Sequence, residues 1–307
     1  MTRHFIAIDR QSDSDLDSVY DLACSALDDE TLKGQGVALV FERPSLRTRA
    51  SSSTAVHELG GYVTFFSNDE IGLDSRESAE DVGRTLAQMY SIAALRVRDH
   101  ETFERMRVAT GDRMSLVNLL SDVAHPTQAV ADVLTLAEHF ADGQVHGLAG
   151  LEVAYVGDAT NVTRSLSVAL LRLGVNVRVG APRGYQLRPG GEEDPGHVEG
   201  RGTLTVTGSA TEAVTGADAV YTDAWISMGY EDEADQRRLD LADFRVDDAL
   251  MRFAKKGAVL LHCLPAHRGD EITDEMLDGT ASLVWRQVFH RRSAMLGVLR
   301  WIKEEPS

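Results

Sequence analysis

The sequence predicts an α/β protein of two similar-sized domains, each a mainly parallel sheet flanked by helices. Three observations carry that expectation. A chain of 307 residues is long for one ordinary domain and natural for two. Short apolar runs alternate with amphipathic stretches, the mark of repeated strand–helix units and so of a parallel sheet. The alternation also starts afresh after Gly147-Leu148-Ala149-Gly150.

In the first series, Val37-Ala38-Leu39-Val40-Phe41 is an unbroken apolar run and reads as a buried strand. Leu46 to Leu59 reads as a helix closed by Gly60-Gly61. Tyr62 to Phe66 is a strand, Ala79 to Tyr90 a helix, Ile92 to Val97 a strand and Leu116 to Leu120 another. A helix from about Pro126 to Phe140 joins the two domains. In the second series Val153 to Val156, Val175 to Val179, Leu204 to Thr207, Ala219 to Thr222 and Ala258 to Leu261 read as strands, with a helix over Val162 to Leu173. Pro189 to Gly202 and the acidic Tyr230 to Arg238 read as mobile surface segments. Gln287 to Ile302 is a terminal helix. The expected divisions are residues 1–140, 141–285 and 286–307.

Hydrophobic residues make up 43% and charged residues 26% of the chain, an ordinary globular balance. No apolar run reaches the roughly 18 residues of a membrane span, and the start of the chain has no stretch suited to a signal peptide. Two cysteines, Cys24 and Cys263, are too few for a disulfide scaffold and fit a reducing cytoplasm. A net charge of −17 excludes a nucleic-acid surface, which needs a basic stripe. Only four of the 31 basic residues are Lys, and several Arg stand in short motifs. An acidic protein that binds an anion must concentrate its positive charge in such places.

Four motifs follow strands. Pro44-Ser45-Leu46-Arg47-Thr48-Arg49 opens a helix, where free backbone N–H groups, two hydroxyls and two forked cations favour an anion. Taken alone it is equally an N-capped helix with exposed arginines. His125-Pro126-Thr127-Gln128, Asp223-Ala224-Trp225-Ile226-Ser227-Met228-Gly229 and His262-Cys263-Leu264-Pro265 occupy further strand ends. Singly, His125 reads as a core histidine and Cys263 as a small core residue. Together they mark the carboxyl ends of parallel strands, where ligands bind.

This constellation resembles the aspartate/ornithine carbamoyltransferase family, in its ornithine branch. The family's S-x-R-T-R matches Ser45 to Arg49, its H-P-x-Q matches His125 to Gln128, and D-x-x-x-S-M-G and H-C-L-P match Asp223 to Gly229 and His262 to Pro265. The order is the family's, over nearly the whole chain. The resemblance implies a carbamoyl phosphate-binding first domain, an amino-acid-binding second domain and a C-terminal helix returning to the first. It implies that Ser45, Leu46, Arg47 and Thr48 hold the phosphate with Arg49 in support, and that Arg96 and Arg291 contact the same ligand. His125 and Gln128 would contact the carbamoyl group. Asn161, Asp223, Ser227 and Met228 would hold the amino acid, and Cys263 with the Leu264 backbone would lie near the attacking amine. Arg47, Arg96, His125, Asp223, Cys263 and Arg291 form the implied catalytic set. The implied reaction carries the carbamoyl group of carbamoyl phosphate to the side-chain amine of L-ornithine, giving citrulline and phosphate. A homotrimer, or a multiple of trimers, is implied as well.

Three positions depart from the family pattern. Gly72 stands where a neighbouring subunit usually offers Gln or His, which leaves that contact absent or supplied by Ser75 or Arg76. Gln287-Val288-Phe289-His290-Arg291 replaces Q-A-E-N-R, and Ser52-Ser53 replaces a Phe-Glu pair. They keep open a specialised enzyme for another diamino acid or natural-product amine, and a silent binding paralogue. A nucleotide-binding oxidoreductase is disfavoured because Gly157-Asp158-Ala159-Thr160-Asn161 lacks G-x-G-x-x-G. No metal-ligand spacing appears among the ten histidines, and no cofactor is expected.

Overall fold

A computed structural model describes residues 2–26, 30–226 and 231–304. The chain divides into two compact units, one of residues 1–131 and 289–307, the other of residues 132–288. Among the described residues, nine strands form two sheets, and every strand pair within them is parallel.

The first unit runs α1 (Asp13–Cys24), β1 (Gly36–Phe41), α2 (Leu46–Glu58), β2 (Tyr62–Ser67), α3 (Asn68–Ile71), α4 (Ala79–Leu86), β3 (Ile92–Arg96), α5 (Glu101–Thr110), β4 (Ser115–Leu120) and the start of α6 (Pro126–Phe140). Its sheet has the order β2-β1-β3-β4. The wholly buried β1 and β3 lie inside and the half-exposed β2 lies at one edge. The chain therefore winds one way from β1 to β2 and the other way through β3 and β4. Such a reversal opens a crevice at the carboxyl ends of β1 and β3.

The second unit continues with β5 (Glu152–Val156), α7 (Asn161–Arg172), β6 (Asn176–Gly180), β7 (Leu204–Thr207), α8 (Ala210–Val214), β8 (Ala219–Thr222), α9 (Ala234–Leu241), α10 (Asp248–Met251), β9 (Val259–His262), α11 (Asp274–Leu277) and the start of α12 (Val284–Lys303). Its sheet order is β7-β6-β5-β8-β9, so the winding reverses between β5 and β8. The Gly157, Asp223 and His262 motifs all leave the strand ends on that side.

From Phe289 onward α12 belongs to the first unit, as a helix returning to the first domain requires. Arg300 donates to the Leu22 and Ala26 carbonyls at 2.8 Å and to Ser25, closing the carboxyl end of α1. Trp301 Nε1 reaches Asp15 at 3.1 Å. Gly297 lets the two helices meet, since a Cβ there would stand 2.3 Å from the Val19 carbonyl oxygen.

Several segments differ from the sequence expectation. The helix expected over residues 79–90 stops at Leu86, because Gln88, Met89 and Tyr90 bond back by turn contacts that bring the chain into β3. Pro189–Gly202, expected as a mobile loop, is tethered. Arg164 donates to the carbonyls of Arg188, Gly190 and Glu192, and Glu193 is fully buried. Of Tyr230–Arg238, Tyr230 lies outside the described residues. The rest is a short 3-10 turn followed by α9, with Arg237 buried. No described helix is long and apolar enough to cross a membrane.

Candidate active site

Ser45 is the N-cap of α2, and its hydroxyl accepts from Thr48 N. Leu46 follows with its side chain 80% exposed, whereas Thr48 is buried on the inner face of the first turn. The helix thus begins with its free N–H groups at the carboxyl end of β1, a natural anion seat. Arg49 turns outward and lies over the Phe65 ring, 3.7 Å from its centroid. A contact of that kind is worth about 1 kcal/mol, enough to favour this rotamer but too little to hold it against a bound dianion.

Arg96 is the last residue of β3 and is buried. The β3–β4 register shifts between Leu95 and Arg96, an irregularity of the kind that re-aims a side chain beside a site. His125 precedes α6 and its carbonyl accepts from Ala129 N at 3.1 Å. Pro126 opens the helix, where its missing N–H costs nothing, and Gln128 lies in the first turn. Arg291, buried on α12, donates to Thr48 Oγ1 at 2.8 Å and to Gln128 Oε1. The fold thus draws four segments of the first unit together.

The electrostatics agree. His125 is buried, and its pKa is held well below the ordinary imidazole value. Burial is the largest cause, followed by the positive charges of Arg291, Arg96 and Arg47. His125 is therefore neutral at physiological pH and offers a hydrogen bond without adding a fourth charge. Three guanidinium groups around a neutral imidazole in an acidic protein form a seat for a small polyanion.

In the second unit, Asn161 is the first residue of α7 and its Oδ1 accepts from Val162 N at 3.0 Å. Asp223 follows β8. Its Oδ1 accepts from Ala224 N at 2.7 Å and from the Cys263 thiol at 2.9 Å. These two motifs are 40 positions apart and meet because β8 and β9 are neighbours. Ser227 and Met228 lie outside the described residues. Leu264 has φ +59°, a left-handed conformation that costs a residue with a side chain about 1–2 kcal/mol.

Sequence reasoning assigned no role to the groups that hold these residues. His262 and Glu271 are fully buried and bonded at 3.1 Å. The His262 amide donates to Gln287 Oε1 at 2.8 Å, and Gln287 Nε2 donates to the buried Asp132 at 2.8 Å. Arg237 reaches Asp158 Oδ2 at 2.6 Å and the Trp225 carbonyl at 3.1 Å. Asp158 has its pKa raised, with burial the largest cause and Arg237 opposing it. The legible signals were the apolar run before His262 and the helical spacing of Gln287 from Arg291. Asp223, His262 and Cys263 also bring three potential metal-ligand atoms within 4.8 Å. Both ring nitrogens of His262 are already engaged, so a cation there would have to break that ring's contacts.

The departures have local reasons. Gly72 adopts φ +62°, and a Cβ on it would stand 2.7 Å from Arg76 Cβ, so this turn requires glycine. Ser75 donates back to the Gly72 carbonyl at 3.0 Å, and Arg76 donates to the Glu70 carbonyl. Ser52 is buried on α2. Phe289 stays 42% exposed, packed edge-on against His290 and beneath Arg292.

Comparison with known proteins matches two family models. The aspartate/ornithine carbamoyltransferase carbamoyl-P binding domain covers residues 3–138, and the Asp/Orn binding domain of the same family covers residues 149–302. An ornithine carbamoyltransferase of Thermus thermophilus is 43% identical over 270 residues, 88% of this chain and 85% of its own length. One from Methanococcus maripaludis is 39% identical over 281 residues, 90% of each chain. The solved ornithine carbamoyltransferase from Pyrococcus furiosus matches with a TM-score of 0.88 at 32% identity, covering 97% of this chain and 96% of that one.

Proposed function

The chain belongs to the aspartate/ornithine carbamoyltransferase family, and from that premise we propose that it transfers the carbamoyl group of carbamoyl phosphate to the side-chain amine of L-ornithine. The products are L-citrulline and phosphate. The observation that carries this reading is the gathering of Arg47, Arg96 and Arg291 around a neutral, buried His125, beside the α2 amino terminus capped by Ser45.

The chemistry needs those groups. A neutral amine attacks the carbonyl carbon, the C–O bond to phosphate breaks, and negative charge grows on the carbonyl oxygen and the departing phosphate. In this reading Ser45, the Leu46 and Arg47 amides and Thr48 hold the phosphate, while Arg96 and Arg291 stabilise the charge that develops. His125 donates a neutral hydrogen bond to the carbonyl oxygen. Its depressed pKa matters here, because an imidazolium among three guanidinium groups would be costly to maintain. Gln128, held by Arg291, keeps the carbamoyl group oriented. The departing phosphate accepts the proton the amine gives up, so no covalent nucleophile is required.

The second unit supplies the acceptor. Asp223 offers a carboxylate to the amino acid's α-ammonium, and Asn161, Ser227 and Met228 complete its recognition. Cys263 and the Leu264 backbone stand beside the attacking amine. Retention of the Asp223 and H-C-L-P motifs favours an acceptor with a free α-amino acid end. The reading includes a homotrimer, supported by the family, and a cytoplasmic location, supported by two cysteines, Cys24 and Cys263, that form no disulfide.

Colorimetric measurement of ureido product decides the reading. With carbamoyl phosphate as donor, ornithine is compared with lysine, diaminobutyrate and diaminopropionate. Ornithine is expected to lead in kcat/KM by at least about 100-fold, the discrimination expected of a pocket built to its length. Preference for another amine would establish a specialised enzyme, and no product from any amine would establish a silent paralogue.

A further inference from the structure

The histidine of the H-C-L-P motif has the residue type of a general base, but its surroundings exclude that role. His262 is fully buried at the end of β9. The Leu264 amide donates to its Nδ1 at 2.8 Å. A backbone amide can only donate, so Nδ1 carries no proton and the neutral ring bears its hydrogen on Nε2. That hydrogen points at Glu271 Oε1, 3.1 Å away. The same oxygen accepts from the His267 amide at 2.6 Å. Both ring nitrogens are spoken for, and neither can exchange a proton with a substrate.

We infer that the buried pair His262–Glu271 is the positioning device of the acceptor half-site, holding the Leu264 amide and thereby aiming the Cys263–Leu264 segment at its ligand. The proposal rests on the reading of that half-site given above. Its physical content is a chain of constraint. Glu271 fixes the ring's tautomer and tilt, in the way a second carboxylate orients a working histidine elsewhere. The ring fixes the Leu264 N–H. The Cys263–Leu264 peptide is trans, so its carbonyl points opposite to its N–H and therefore away from the buried ring. The carbonyl oxygen is thus turned outward as an acceptor for an N–H of the bound amine or carbamoyl group. Leu264 is held in a left-handed conformation that it would abandon without that bond. On the other side the Cys263 thiol is tied to Asp223, so the segment is anchored at both ends. Gln287 holds the His262 amide from α12. His262 and Glu271 are positioning residues, since they act through Leu264 and Cys263 and touch no reacting atom.

Isosteric variants separate this role from proton transfer. In His262→Asn the amide oxygen takes the place of Nδ1 and keeps an acceptor for Leu264. In His262→Gln the amide reaches the place of Nε2 and leaves the Leu264 N–H without one. Hydrogen exchange at the Leu264 amide and steady-state rates with ornithine and carbamoyl phosphate are measured on the full chain. For His262→Gln, exchange is expected to quicken and kcat to fall at least about tenfold, with KM for carbamoyl phosphate within about twofold. His262→Asn is expected to keep amide protection and kcat within about threefold. Equal loss of kcat in both variants with Leu264 protection kept in His262→Asn would overturn the proposal, because the imidazole itself would then be required. Full protection and full kcat in His262→Gln would overturn it too. Should that variant not fold, Glu271→Gln and Glu271→Leu carry the test. The first retains an accepting oxygen and is expected to behave as the parent, whereas the second should loosen the Leu264 amide and lower kcat together. Equal behaviour of that pair would overturn it. If the parent enzyme makes no ureido product, the functional reading fails, and amide exchange alone still decides the positioning role.

Discussion

The Arg291 guanidinium donates to the Thr48 hydroxyl at 2.8 Å across 243 positions of sequence. Its other arm holds Gln128, so one planar fork ties α12, α2 and α6 together at the proposed donor site. Lys keeps the charge but presents a point rather than a fork. Arg291→Lys is therefore expected to lower kcat/KM for carbamoyl phosphate by about 100-fold, the scale of losing one aimed transition-state donor. Steady-state kinetics with varied carbamoyl phosphate check this, and an unchanged kcat/KM would remove Arg291 from the donor site.

Asp223 accepts from both Cys263 Sγ and Ala224 N, and in the proposed reaction it also binds the acceptor's α-ammonium. Asp223→Asn keeps the shape and removes the charge. KM for ornithine is expected to rise about 10–100-fold, the cost of a lost charge-assisted bond, while KM for carbamoyl phosphate stays near its parent value. A rise in both constants would place Asp223 outside the acceptor pocket.

His125 couples the site to pH. Its pKa is depressed in the folded chain, so the unfolded chain binds more protons once pH falls below the ordinary value of about 6.5. Stability is then present above that value and is lost as pH falls below it. The melting temperature is expected to drop between pH 7.5 and 5.5, and to drop less in His125→Gln. Matching pH profiles for the two proteins would remove His125 as the cause.

Arg300 closes the end of α1 with bonds to Leu22, Ser25 and Ala26. Ala at this position removes a buried guanidinium and its bonds to the partly buried end of α1, and is expected to cost about 2–4 kcal/mol. Denaturant titration measures it. Carbamoyl phosphate KM is expected to be unaffected in the protein that remains folded, because Arg300 lies on α12 well past Arg291.

The strands were legible because parallel sheets bury both faces of their inner strands. Val37-Ala38-Leu39-Val40-Phe41 has no polar residue to place in water, and the wholly buried Ala219–Thr222 has the bounds the sequence predicts. The helices α1 and α5 escaped notice. In α1 the buried Leu16, Val19, Tyr20 and Ala23 alternate with acidic residues. Their partner is α12, whose Gly297 comes close to Val19 and Ala23 and whose distance in sequence leaves no local signal. The tethered loop at Pro189–Gly202 has a loop-like composition, from which the sequence predicts mobility. Its anchor, Arg164, lies on a different element and leaves no local signal.

The segment Ser45–Arg49, by itself, determined a capped helix start with free amides of the kind that suits an anion, since capping hydroxyls and free amides are consequences of local chain geometry. Sequence also determined the family, through motifs that remain recognisable in linear order. Only the tertiary structure decided what surrounds those motifs. It brought Arg291 to Thr48, joined Cys263 to Asp223, and placed Glu271 behind His262 so that a motif histidine became a support for Leu264. The reason is physical. A cap or a strand is written in neighbouring residues, whereas a buried ion pair or a depressed pKa depends on distances that exist only after distant segments have packed.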